Sequence, residues 1–126
     1  MKSLYFLLVC CLILTACSSN RETDSNTQQA HKYTPTLDVS VEVSGRSAIA
    51  TITTDMTISE DHFGKARKAG EGHIHLYLDD GEKETAVMGT KEYTDLTPGS
   101  HKLRVSLHNN DHTPYDVTQS VAFEIK

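Results

Sequence analysis

Leu37, Val39, Val41 and Val43 alternate with Asp38, Ser40, Glu42 and Ser44, the period-two pattern of a strand with one buried face. Gly45-Arg46 interrupts the pattern as a turn, and residues 47–54 predict a second strand, the hairpin partner of the first. Residues 55–72 form a long connection. Within it Met56 and Ile58 extend a strand, and residues 59–64 form a short helical turn with Ser59 as its cap. The clearest strand covers residues 72–79: Ile74, Leu76 and Leu78 point one way while His73, His75 and Tyr77 point the other. Asp80-Gly81 marks the next turn, and residues 82–87 make a short edge strand.

Residues 91–96 lead into Thr97-Pro98-Gly99, where proline presets one dihedral and glycine accepts positive φ, as a type II turn requires. Beyond it His101, Leu103, Val105 and Leu107 share a face opposite Lys102, Arg104, Ser106 and His108. Residues 109–114 read as a loop. The last strand carries Tyr115, Val117, Val121, Phe123 and Ile125 at odd positions, interrupted by Gln119. About seven short strands without an amphipathic helix predict an all-β fold, an antiparallel β-sandwich, because an isolated sheet would leave one apolar face wet.

The first residues follow a different pattern. Lys2 precedes an apolar run over residues 4–14, and polar Ser18-Ser19-Asn20-Arg21-Glu22 comes soon after. The run is shorter than the ~20 residues a spanning helix needs and has the form of a secretion signal. Leu14-Thr15-Ala16-Cys17 resembles the lipobox of bacterial lipoproteins. That resemblance implies a signal peptide over residues 1–16, cleavage before Cys17, and a thioether-linked lipid on Cys17 holding the chain at a cell membrane or outer membrane on its extracytoplasmic side. Residues 17–34 comprise the lipidated cysteine and a polar tether containing His31, and residues 35–126 the sandwich domain.

The expected cleavage removes Cys10 and Cys11, and lipid consumes Cys17, so the folded domain has no thiol ligand and no disulfide. It also removes Lys2, taking the formal charge from −5 to −6. An acidic domain with no basic patch interleaved with aromatics argues against nucleic-acid binding.

Histidine carries the candidate chemistry. Alternation places His73 and His75 on one side of a strand, roughly 6–7 Å apart, a spacing that suits two ligands on one ion. His108 on a polar strand face and His112 in the following loop are candidate further ligands, as is His101 just after the Pro98-Gly99 turn. Nitrogen donors without thiolate favour copper(II) or zinc, then nickel. Glu71, Asp79 and Asp111 are candidate carboxylates to orient the imidazoles from behind. The plainer alternative is a polar strand face whose histidines bind nothing.

Three stretches, Gly70-Glu71-Gly72-His73-Ile74-His75-Leu76-Tyr77-Leu78-Asp79, Leu96-Thr97-Pro98-Gly99-Ser100-His101 and Leu107-His108-Asn109-Asn110-Asp111-His112, resemble an uncharacterised family of bacterial secreted and lipid-anchored domains with G-H-x-H, P-G-x-H and N-D-H motifs. The resemblance implies an immunoglobulin-like sandwich and matches His73, His75, His101 and His112 to the family's histidines; it carries no activity. Two functional readings stand side by side: a membrane-anchored module binding copper or zinc through histidines, and a structural or protein-interaction lipoprotein of the envelope that holds no metal. No H-E-x-x-H, G-x-S-x-G or phosphate-binding loop is present to point to an enzyme.

Overall fold

The computed structural model describes residues 32–126. The expected signal peptide, Cys17, His31 and nearly all of the expected tether lie outside the described residues. Among the described residues eight strands form: β1 Asp38–Ser44, β2 Ser47–Thr53, β3 Thr57–Ile58, β4 Glu71–Leu78, β5 Glu84–Ala86, β6 Thr90–Tyr93, β7 Gly99–Asn109 and β8 Pro114–Ile125. They build two sheets, β1-β2-β6 and β3-β4-β7-β8, with β5 on the edge of β4. The all-β sandwich expected from alternation is present, with one strand more than the seven expected.

The inner faces carry the apolar positions of the alternating patterns. Val39, Ala48, Ala50, Ile52 and Tyr93 from the three-stranded sheet meet Ile74, Leu76, Leu103, Val105, Leu107 and Ile125 from the other. Full burial of side chains such as Leu76 and Leu107 contributes about 1.5–3 kcal/mol each. Gln119, the polar break in β8, donates from Nε2 to the Val39 carbonyl at 3.4 Å and so bridges the sheets. Tyr33 packs edge-on against Tyr115, ring centroids 5.9 Å apart, so the packed domain begins slightly before residue 35.

Two local features fix the ends of β4. The turn after it has positive φ at Asp79 and Asp80, and the Gly81 N–H donates to the Leu78 carbonyl at 2.9 Å. It is therefore centred one residue earlier than Asp80-Gly81 suggests. Positive φ at both central positions matches the twist of flanking strands, and aspartate tolerates it. At the other end of β4, Gly72 pairs with Asn109 of β7, and a Cβ there would lie 1.9 Å from the His108 carbonyl oxygen. Only glycine lets the two central strands approach this closely beside His73.

Candidate metal centre

The outer face of β4 carries Glu71, His73, His75 and Tyr77, and the register sets His73 opposite His108, His75 opposite Ser106, and Tyr77 opposite Arg104. Arg104 lies over the Tyr77 ring, 3.8 Å from its centroid. An outer sheet face is ordinarily wet, yet His73 is 0% exposed and His75 3%. The cover comes from two loops. The connection between β3 and β4 turns at residues 60–65 through bonds from the Phe63 N–H to the Glu60 carbonyl and from the Lys65 N–H to the His62 carbonyl. The Gly64 N–H then donates to the Asn110 carbonyl at 2.8 Å, which ties this connection to the β7–β8 hairpin. Phe63 consequently sits over the histidines, its ring centroid 4.7 Å from those of both His73 and His112.

The β7–β8 loop delivers His112. Its N–H donates to the Asn109 carbonyl, and the Asn109 N–H donates to Thr113 O. His112 itself has φ +66°, the left-handed residue that often closes a three-residue hairpin loop. Such a backbone costs an L-residue about 1–2 kcal/mol, and here it turns the ring back over β4. His112 Nδ1 then lies 3.1 Å from His73 Nε2, which lies 3.0 Å from His75 Nε2. One nitrogen from each of His73, His75 and His112 falls within 4.8 Å of the others.

These separations fit a common ion. Donors 2.0–2.1 Å from a tetrahedral centre are about 3.3 Å apart, close to the two shorter distances. A neutral His73 Nε2 carries either one proton or one lone pair, so it can join two nitrogen contacts only by sharing. Three lone pairs directed at one cation are an arrangement that this constellation can supply. Burial first, then the neighbouring histidines, push the His73 imidazole down to about 4 and His75 down to about 3. Both rings are therefore neutral at pH 7, the form that ligates metal.

His108 plays another part. Its Nδ1–H donates to the His112 carbonyl at 3.0 Å, its Nε2 accepts from the Ser106 hydroxyl at 3.0 Å, and its ring stacks on His75 with centroids 3.7 Å apart. It stacks on one converging ring and holds the backbone of another, and it is not among the three residues whose ligand atoms converge.

His101 lies away from the cluster. Its Nδ1–H donates to Asp79 at 2.7 Å and its Nε2–H to the Thr97 carbonyl at 2.8 Å, with Phe123 stacked on the ring. Both nitrogens donate, which leaves no lone pair for a metal. The Thr97 carbonyl foremost, and then Asp79, raise its pKa. Seven residues along β7 also set it about 23 Å from His108 at ~3.3 Å per residue.

The expected orienting carboxylates do not reach the cluster. Glu71 shares the outer face but is held by Lys68, by His62 Nδ1 at 2.6 Å and by Asn110, the first two holding its carboxyl down to about 2. Asp79 serves His101 and the Lys102 N–H, and Asp111 serves Thr113 and Arg67. Each acid finds a nearer donor. Among the described residues, Nδ1 of His73 and of His75 has no hydrogen-bond partner, and the rings are oriented by packing against Phe63 and His108 instead. Phe63 and His62 are not legible in the sequence as contributors: alternation and capping reveal the 59–64 turn, but its docking onto Asn110 is a long-range contact.

The fold and the site together define an immunoglobulin-like β-sandwich with a three-histidine cluster on the outer face of its larger sheet. No protein-family model matches the chain, and no curated protein does, so the family resemblance rests on its motifs alone. Among solved structures the chain is similar to the PKD1 domain of the Vibrio cholerae metalloprotease PrtV, with a TM-score of 0.50, 12% identity, and coverage of 75% of this chain and 99% of that one. It is also similar to the PKD1 domain of Vibrio anguillarum Epp, with a TM-score of 0.51, 10% identity, and coverage of 75% and 96%. At these identities the likeness is one of fold. Among the described residues no helix is long and apolar enough to cross a membrane.

Proposed function

We propose that this protein is an extracytoplasmic metal-binding module, tethered to a membrane by lipid on Cys17, that takes copper or zinc at His73, His75 and His112. The observation that carries the proposal is the convergence of three imidazole nitrogens from a central strand and a hairpin loop, two of them buried and neutral. The donor set is compatible with either ion: zinc accepts three histidines plus a further ligand, and copper(II) leads the divalent series in affinity for imidazole. The lipobox-like Leu14-Thr15-Ala16-Cys17 supports the tether, and no nucleic acid enters the reading. Isothermal titration of the lipidated chain, purified in detergent without a histidine tag, tests it. One strong site per chain is expected, weakened at least tenfold by His73→Ala/His75→Ala. No heat, or unchanged heat in the double variant, rejects it.

A second reading, a protein-interaction module of the envelope without metal, draws on Val43 and Ile49, 41% and 45% exposed on the smaller sheet. Co-purification of one reproducible envelope protein, lost in Ile49→Lys but retained in His73→Ala/His75→Ala, favours it.

A further inference from the structure

Resting on the metal-binding reading, we infer that the bound ion keeps one coordination position for a small anion from solution, entering beside His112 and Phe63. Three observations lead there. First, the described chain supplies three converging donors, and the polar groups around them are committed elsewhere. His108 is spent on the His112 carbonyl and Ser106, Ser106 on His108, and Glu71 on Lys68, His62 and Asn110. Zinc and copper take four or more ligands, so the sphere is completed from outside this set.

Second, the two sides of the cluster differ. His73 and His75 close it from below, while His112 is exposed and Phe63 is 40% exposed. The remaining position therefore faces solvent past His112. The Phe63 ring, packed against both His73 and His112, narrows that approach to a small ligand.

Third, the charge is unbalanced. Three neutral imidazoles leave a divalent ion with its full charge, whereas a thiolate or carboxylate ligand would offset part of it. A dication among neutral donors in a partly desolvated site attracts anions strongly. Hydroxide, azide and similar small monoanions fit that charge.

The experiment is cobalt(II) substitution of the lipidated chain in detergent, followed by azide titration read in the visible d–d bands. The inference expects cobalt bands that vanish in His73→Ala/His75→Ala, and a band shift that saturates at one azide per cobalt. Cobalt bands that depend on His73 and His75 yet do not respond to azide overturn the inference and leave the metal site standing, its fourth ligand then coming from within the chain. Absence of histidine-dependent cobalt bands overturns the site and the open position together.

Discussion

His112 Nδ1 lies 3.1 Å from His73 Nε2 although 39 residues separate them in the chain. The contact depends on the left-handed backbone of His112 at φ +66°, which aims the ring at β4. Strained conformations of this kind persist where the surroundings over-determine them; here the Asn109–Thr113 bonds and His108 do so.

Replacing His112 with glycine separates strain from ligation. Glycine accepts positive φ, at some cost in unfolded-state entropy. His112→Gly is expected to hold the metal-free stability within about 1 kcal/mol of the parent, while metal affinity falls at least tenfold. Denaturant melts paired with calorimetric titration check both. Undiminished affinity would show that His112 is not a ligand.

Gly72→Ala acts from beneath the site. Its new Cβ would meet the His108 carbonyl oxygen at 1.9 Å and Met56 Sδ at 3.0 Å, forcing β4 and β7 apart where His73 and His108 pair. Overpacking of this kind costs about 1–3 kcal/mol or more. A lowered melting temperature and a loss of metal affinity are expected together; a variant as stable as the parent contradicts the close approach.

Acid should loosen the metal-free domain. His73 and His75 titrate near 4 and 3 when folded, chiefly because they are buried, against an ordinary value near 6.5. Between those limits the unfolded chain binds more protons, so their contribution to stability is complete above about pH 6.5 and is lost as pH falls toward the folded values. With EDTA present, the melting temperature is expected to fall between pH 7 and pH 5, a range above most carboxylate titration. His73→Asn/His75→Asn is expected to flatten that dependence. An equally steep decline in the double variant would place its origin elsewhere.

The His101–Asp79 pair should prove structural. His101→Gln removes the charged clasp between the turn after β4 and the start of β7, and the melting temperature is expected to drop. Metal affinity should stay within about twofold, because both His101 nitrogens are occupied far from the cluster. A large loss of affinity in this variant would return His101 to the ligand set.

Much of this arrangement is legible in the sequence, and the remainder fails for identifiable reasons. Period-two alternation locates β1, β4, β7 and β8, since each has one face in the core, and β2 follows as the hairpin partner of β1. The H-x-H spacing puts His73 and His75 on one face for the same reason, and His112 is a candidate because the loop after β7 can return toward a neighbouring strand. Ligand choice at His108 and His101 cannot be settled by pattern, since it turns on which nitrogen finds a carbonyl, hydroxyl or carboxylate in three dimensions. Glu71, Asp79 and Asp111 are placed near histidines by sequence but are claimed by Lys68, His101, Arg67 and other local donors. The Phe63 cover depends on the Gly64–Asn110 contact between loops, for which sequence carries no periodic signal.

Crystallography of the metal-loaded full chain, with data collected on either side of the copper or zinc absorption edge, tests the central claim most directly. A single anomalous peak 2.0–2.1 Å from His73 Nε2, His75 Nε2 and His112 Nδ1 is predicted. A loaded crystal with no peak there, or with its peak at other residues, would contradict the three-histidine site.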